Sequence, residues 1–332
     1  MSPRTTVRST AAAAVVVLLA TLLAACGGGA EGVDGPTRTV TDVRGEQVEV
    51  PESPQRVVTL SEPTLDGALA LGVTPVGTVS GRGQSTVPGY LVDLAGDIPL
   101  LGGIAQPNFE EIANADPDLI LVDETSINNN PPAIEALEHI APLVVTGRAG
   151  GDWRANLALT ADALNLADKG REVVEEYDAQ VADVAARLDA VAGDTFSVVR
   201  WQGGAPSLIL KELPAGVALE DLGLKRPPSQ DRRGRGHSNP VSLENLAEID
   251  ADHMFFGTLG GSSVTNPSAG GGTGTDAARQ ALAEAVKVPG FTALKAYQDN
   301  TIIPVDGSLW TSTGGPILMS RIVANIEEAL VR

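Results

Sequence analysis

The sequence predicts an α/β fold of two similar lobes joined by a single long helix, and three patterns carry that reading. Strands alternate with helices through residues 56–145 at the spacing of a parallel sheet. One helix-period apolar stripe fills residues 168–191. The alternation then restarts at residue 196.

Residues 39–50 alternate weakly and read as a hairpin turning at Arg44-Gly45. Residues 56–60 form a buried strand that enters Ser61-Glu62-Pro63, a helix start with proline in its first turn, and Gly72 after Leu71 stops that helix. Strand 73–79, polar loop 80–88, helix 108–114, strand 119–122, helix 134–140 and strand 143–145 complete the first lobe. Asn128-Asn129-Asn130 before Pro131-Pro132 is a turn. In the middle, Val174, Tyr177, Val181, Val184, Leu188 and Val191 are spaced alternately by three and four. A helix over 168–191 would be about 36 Å long. Its alanine-rich flanks lack repeating charge pairs, which favours a spine between lobes over a coiled-coil dimer. In the second half, strand 196–201 pairs with 207–210 across Gly203-Gly204, and helix 217–222 is closed by Gly223. Basic loop 225–239, helix 243–249, strand 253–256, strand 301–305 and a helix start at Gly314-Gly315-Pro316 follow.

An internal echo supports a duplicated lobe plan. Glu110-Glu111-Ile112-Ala113-Asn114-Ala115-Asp116-Pro117-Asp118 leads into Leu119, and Glu244-Asn245-Leu246-Ala247-Glu248-Ile249-Asp250-Ala251-Asp252 leads into His253. Each copy reads as helix, tight turn and strand, with Glu, Ala and two Asp in matching places.

Cys26 is the only cysteine. Arg4 and Arg8, an apolar run over residues 11–23 and Leu23-Ala24-Ala25-Cys26 resemble a bacterial lipobox, in which the thiol is acylated and becomes the new N-terminus. The apolar run falls short of the roughly 20 residues that span a bilayer. The expected organisation is a leader (1–25), a glycine-rich tether (26–37), a first lobe (38–165), the spine (166–192) and a second lobe (193–332). The protein would then sit outside the cell membrane, held by lipid alone. With Cys26 acylated, disulfide and thiolate chemistry are excluded. The formal charge is −19, and −21 once Arg4 and Arg8 leave with the leader. Such a surface repels nucleic acid phosphates and anionic lipid. The three histidines, His139, His237 and His253, fall on different elements and show no metal-ligand spacing. There is no nucleophile elbow or zinc-protease motif, and Gly270-Gly271-Gly272-Thr273-Gly274 lacks the lysine of a phosphate loop. No catalytic residue, cofactor or metal site is expected.

Four segments, in this order and spacing, carry a family resemblance: Thr64-Leu65-Asp66-Gly67-Ala68-Leu69-Ala70-Leu71-Gly72, Pro117-Asp118-Leu119-Ile120-Leu121, Ser242-Leu243-Glu244-Asn245-Leu246 and Val305-Asp306-Gly307-Ser308-Leu309-Trp310. From about residue 39 to the C-terminus the chain resembles the substrate-binding proteins of ABC importers for ferric siderophores, haem and cobalamin. The resemblance implies the class III periplasmic-binding-protein fold, a shallow cleft between Rossmann-like lobes, limited hinge motion, a monomer and no enzymatic activity. It also implies delivery to an ABC permease dimer through one acid on each lobe. Glu244 matches its motif; Asp66 stands where glutamate is usual.

A ferric siderophore needs cationic donors and flat walls, and a guanidinium meets clustered oxygens while staying charged. Arg200 and Trp201 end the first strand of the second lobe, at the carboxyl end where α/β ligands bind. The family commonly has an arginine there. Trp310, Arg82, Tyr90 and, within the basic loop, Arg235 complete the candidate wall. Haem would ask for an axial ligand, with Tyr90 or His237 the candidates. Haem and cobalamin stay open as cargoes, as does an envelope-interaction lipoprotein without a transport role. A secreted hydrolase is the weakest reading, since no nucleophile has a base beside it.

Overall fold

The computed structural model describes residues 35–127, 130–148, 150–262, 264–266 and 272–331. The leader, Cys26 and most of the tether lie outside the described residues, as do Asn128, Asn129, Gly270 and Gly271. Among the described residues no helix is long and apolar enough to cross a membrane.

A hairpin of β1 (Thr37–Thr41) and β2 (Gln47–Pro51) opens the chain. Gly45 takes φ +85°, a left-handed turn that glycine enters without a Cβ clash. The first sheet has strand order β6-β5-β4-β3-β7-β8, built from β3 (Val57–Thr59), β4 (Gly77–Ser80), β5 (Leu100–Gly103), β6 (Gln106–Pro107), β7 (Leu119–Val122) and β8 (Leu143–Val145). All its pairings are parallel except β5 with β6. Leu119 to Val122 are fully buried, the apolar run expected of a central strand covered on both faces. The covering helices are α1 (Glu62–Ala70), α2 (Val92–Ala95), α3 (Phe109–Asn114), α4 (Pro131–Glu138) and α5 (Trp153–Ala163). Ser61 caps α1, its Oγ accepting from the Thr64 amide at 3.3 Å, as the Ser-Glu-Pro start predicts.

The second sheet runs β11-β10-β9-β12-β13, with β9 (Phe196–Gln202), β10 (Ala205–Leu208), β11 (Asn239–Pro240), β12 (His253–Gly257) and β13 (Ile302–Pro304). Strands β9, β12 and β13 are parallel; β10 returns antiparallel on β9 with Ser207 opposite Arg200. Between the sheets lies α6 (Ala167–Ala185), and around the second sheet α7 (Pro214–Asp221), α8 (Thr275–Ala285), α9 (Lys295–Gln298) and α10 (Gly307–Trp310). The C-terminal α11 (Pro316–Leu330) packs on α1, α6 and α7 at once, so it shares the junction with the spine.

Three expectations are corrected. The strand expected over 73–79 begins only at Gly77, because Val73 donates back to Ala68 in closing α1 and Pro75 has no amide for a ladder; Val76 makes the first bond to β3, at Val57. The spine stops at Ala185 after 19 residues, about 28 Å, and Leu188 and Val191 continue through a tight turn that drops Leu188 into the core. Residues 243–249 form a kinked 3-10 segment rather than an α-helix, with Asn245 out of helical geometry at φ −112°, ψ 31°.

Candidate ligand-binding cleft

Ligands of parallel α/β sheets bind beyond the carboxyl ends of the strands. In the first lobe those ends deliver Glu62 after β3, Gly81 to Gln84 after β4 and Asp123 to Ser126 after β7. In the second they deliver Arg200 near the end of β9, Thr258 to Gly260 after β12, and Asp306 to Thr313 after β13.

A continuous polar network links these ends. Glu62 is only 2% exposed, and its carboxylate accepts from the Arg82 amide (2.8 Å), Arg82 Nε (3.1 Å), Ser312 Oγ (3.2 Å) and Thr313 Oγ1 (2.7 Å). Arg82 Nη2 extends to Ser126 Oγ at 3.5 Å, and that hydroxyl donates to buried Asp123 at 2.7 Å. On the other side, Arg200 donates from Nη1 to the Thr311 carbonyl at 3.2 Å and from Nη2 to Ser238 Oγ. Among the described residues its partners are neutral. Burial, and then the like charge of Arg82, lower the Arg200 guanidinium from its ordinary value. Two guanidiniums, one from each lobe, are therefore tied to the same short segment: Arg82 through Glu62 to Ser312 and Thr313, and Arg200 directly to Thr311.

The lobes meet on both flanks of this pair through glycines. Gly83 has φ +66°, and a Cβ there would stand 2.1 Å from the Gly260 carbonyl oxygen. Ser262 Oγ donates to the Gly83 carbonyl at 3.1 Å. On the opposite flank, a Cβ on Gly150 would stand 2.5 Å from Gly236 Cα. The Gly234 and Gly236 amides donate to Glu212, which fixes the basic loop against the cleft. Beside Gly81–Gln84 opens a cavity of about 950 Å³, whose apolar wall includes Ile104, Phe109 and Val264.

Arg82 and Arg200 are the two candidates that the fold brings together. Arg235 is exposed between Gly234 and Gly236 at the rim. The aromatic candidates go elsewhere. Trp201 is 3% exposed and packs on Phe256 and Phe291, because alternation along β9 turns it away from Arg200 into the core. Trp310 is fully buried, stacks on Phe255 at 4.1 Å and donates from Nε1 to Asn325 Oδ1. Tyr90 is buried and donates its hydroxyl to Asp66 at 2.9 Å. An axial haem bond from Tyr90 would have to break that contact; His237 is exposed.

Asp66 is corrected most sharply. Fully buried, it accepts from Tyr90 and from the Ile317 and Leu318 amides at 2.9 and 3.0 Å, at the N-terminus of α11. Burial pushes its carboxyl up to about 6 in spite of those donors. It is a junction residue and offers nothing to a docking partner. Glu244 is exposed at the start of its 3-10 segment. Sequence reasoning missed Glu62, Asp123, Ser238 and Thr311–Thr313. Glu62 was legible only as part of a helix start, and nothing local marks the others.

Residues 57–309 match the family model for the periplasmic binding proteins, and the chain belongs to that family. It is 29% identical over 296 residues to the probable siderophore-binding lipoprotein YfiY of Bacillus subtilis, covering 88% of this chain and 87% of that one. To the ferric-anguibactin-binding protein FatB of Vibrio anguillarum it is 26% identical over 291 residues, 83% and 82% of the two chains. Among solved structures, Staphylococcus aureus SirA complexed with staphyloferrin B superposes with a TM-score of 0.72 at 24% identity, covering 89% of this chain and 98% of SirA. FeuA from B. subtilis complexed with ferri-bacillibactin gives 0.69 at 20% identity, covering 88% and 96%. At these identities the structural likeness fixes the fold: that of a bilobal binding protein.

Proposed function

We propose that this protein is a lipid-anchored extracytoplasmic receptor that captures a ferric siderophore between its lobes and hands it to an ABC permease, binding without turnover. The observation that carries the reading is the pair Arg82 and Arg200, one from each lobe, at the strand ends of a periplasmic binding protein. Relatives named as siderophore-binding support the cargo. Arg200 is the principal ligand residue, Arg82 joins it from the first lobe, and Arg235 meets the chelate at the rim. The apolar wall belongs to Ile104 and Phe109 in place of the buried tryptophans.

Docking calls for an exposed acid on each lobe. A helix that feeds a parallel strand starts at the cleft end of the sheet, so Glu244 stands on the rim of the second lobe. The internal echo aligns Glu244 with Glu110, exposed in the first turn of α3. Glu110 takes the place in the first lobe for which Asp66 was expected. Cys26 supplies the anchor.

The test is a fluorescence titration of the full chain in detergent with ferric hydroxamate, catecholate and carboxylate siderophores, haem and cobalamin. Saturable quenching at one equivalent by an iron chelate, lost in Arg200→Ala, is the expected result. Binding of haem or cobalamin alone would overturn the cargo, and no binding at all would overturn the receptor.

A further inference from the structure

We infer that Glu62 and Asp123 make the cleft selective for ferric chelates of little or no net negative charge, the hydroxamate class, over trianionic triscatecholates. The inference rests on the proposed siderophore reading and specifies its ligand.

Two arginines tied to one segment give the impression of a site for a multiply charged anion. The groups around them remove most of that charge. Arg82 shares two contacts with the Glu62 carboxylate, which is itself buried and bound from four directions. Behind Ser126 stands Asp123, a second buried carboxylate on the same side. The formal charges of Glu62, Asp123, Arg82 and Arg200 cancel. A trianion entering here would give up its hydration without finding a net countercharge, and desolvated charge without compensation is costly.

What the arginines retain is hydrogen-bond capacity. Among the described residues Arg82 Nη1 and Arg200 Nε have no protein acceptor, while their neighbouring nitrogens are fixed by Glu62, Ser126, Thr311 and Ser238. Two oriented donors suit hydroxamate oxygens, whose charge the iron neutralises. The cavity that offers an apolar wall of Ile104, Phe109 and Val264 to an organic backbone is reached at Gly81 and Gly83, the chain neighbours of Arg82.

A second, independent observation is the field of the whole molecule. The net charge of −19 opposes a trianion at long range and leaves a neutral chelate unaffected. In the basic loop Arg233 faces Glu220 at 3.9 Å, and Arg235 stays exposed at the rim, outside the buried group of four charges.

The experiment compares two probes on the full chain in detergent: ferrichrome, an uncharged ferric trihydroxamate, and the trianionic ferric complex of enterobactin. The wild type is expected to bind the uncharged probe about tenfold tighter or more. Glu62→Gln, which leaves one guanidinium uncompensated, narrows or inverts that ratio, and Asp123→Asn does the same if glutamine at 62 disturbs the lobe junction. The affinity for ferrichrome stays flat as salt is raised, a readout that needs no variant. Equal or tighter binding of the trianion by the wild type would overturn the charge assignment and leave the receptor standing. Failure to bind either probe at any salt concentration would overturn the hydroxamate assignment, and the receptor falls with it only if the ferric carboxylate chelates also fail to bind.

Discussion

The two lobes agree at one end and differ at the other. At the entry to each central strand an aspartate closes the echo segment and does the same work. Asp118 accepts from the Gln55 and Arg56 amides at 2.7 and 2.9 Å ahead of β3, and Asp252 accepts from the Thr195 amide and hydroxyl at 2.8 and 2.7 Å ahead of β9. At the cleft end the first lobe presents an arginine neutralised by its own carboxylate, and the second an arginine held only by neutral oxygens. The similarity persists where unpaired backbone donors must be satisfied. The difference lies where a ligand is chosen.

The largest expected effect separates the two arginines. Arg200→Ala removes a charge-assisted bond to the ligand worth about 1.5–3 kcal/mol, so affinity should fall about 10- to 100-fold with little change in melting temperature. Arg82→Ala should lower the melting temperature as well, since it strands buried Glu62. Equal thermal behaviour of the two variants in calorimetry would break the contrast. Gly83→Ala drives a methyl into the Gly260 carbonyl. It should weaken binding several-fold in the same titration and leave each lobe folded.

The shared end is tested by Asp118→Ala and Asp252→Ala, each expected to cost about 1–3 kcal/mol in denaturant unfolding. Their effects should add in the double variant, as for sites without common partners. A smaller signal comes from Asp66. Its folded carboxyl lies near 6, above its ordinary value of 3.8, so the native state holds the proton more tightly than the unfolded chain. Its contribution to stability is therefore complete below the unfolded value and lost as pH rises through about 6. Melting curves of wild type and Asp66→Asn should converge in acid and diverge by a few degrees across that window; parallel curves would refute the assignment. Smallest of all on affinity is Glu244→Gln, which should leave titrations unchanged and reduce iron uptake by cells.

The framework was legible because its signals are local. The Ser61 cap, the Leu119–Val122 run and the Gly72 and Gly223 stops each act within a few residues. The site was half legible. Arg200 announced itself by a strand end, yet Trp201 beside it and Trp310 went to the core, because sequence cannot tell which face of a strand or short helix looks onto a cleft. Glu62 was invisible for another reason: Ser312 and Thr313, two of its partners, lie 250 and 251 positions away, beyond any periodicity. Asp66, with two of its three partners equally remote, was misread as a surface acid.

That separation has a bearing on how the molecule is made. Glu62 and Asp66 are synthesised some 250 residues before the hydroxyls and amides of Ser312 to Leu318 that receive them. Until the last helix arrives, Glu62 has only Arg82 and Asp66 only Tyr90 as partners, and the first lobe cannot close its floor. A nascent chain thus remains loose at the very seam that later holds it rigid, and the last helix to be made is the one that locks it.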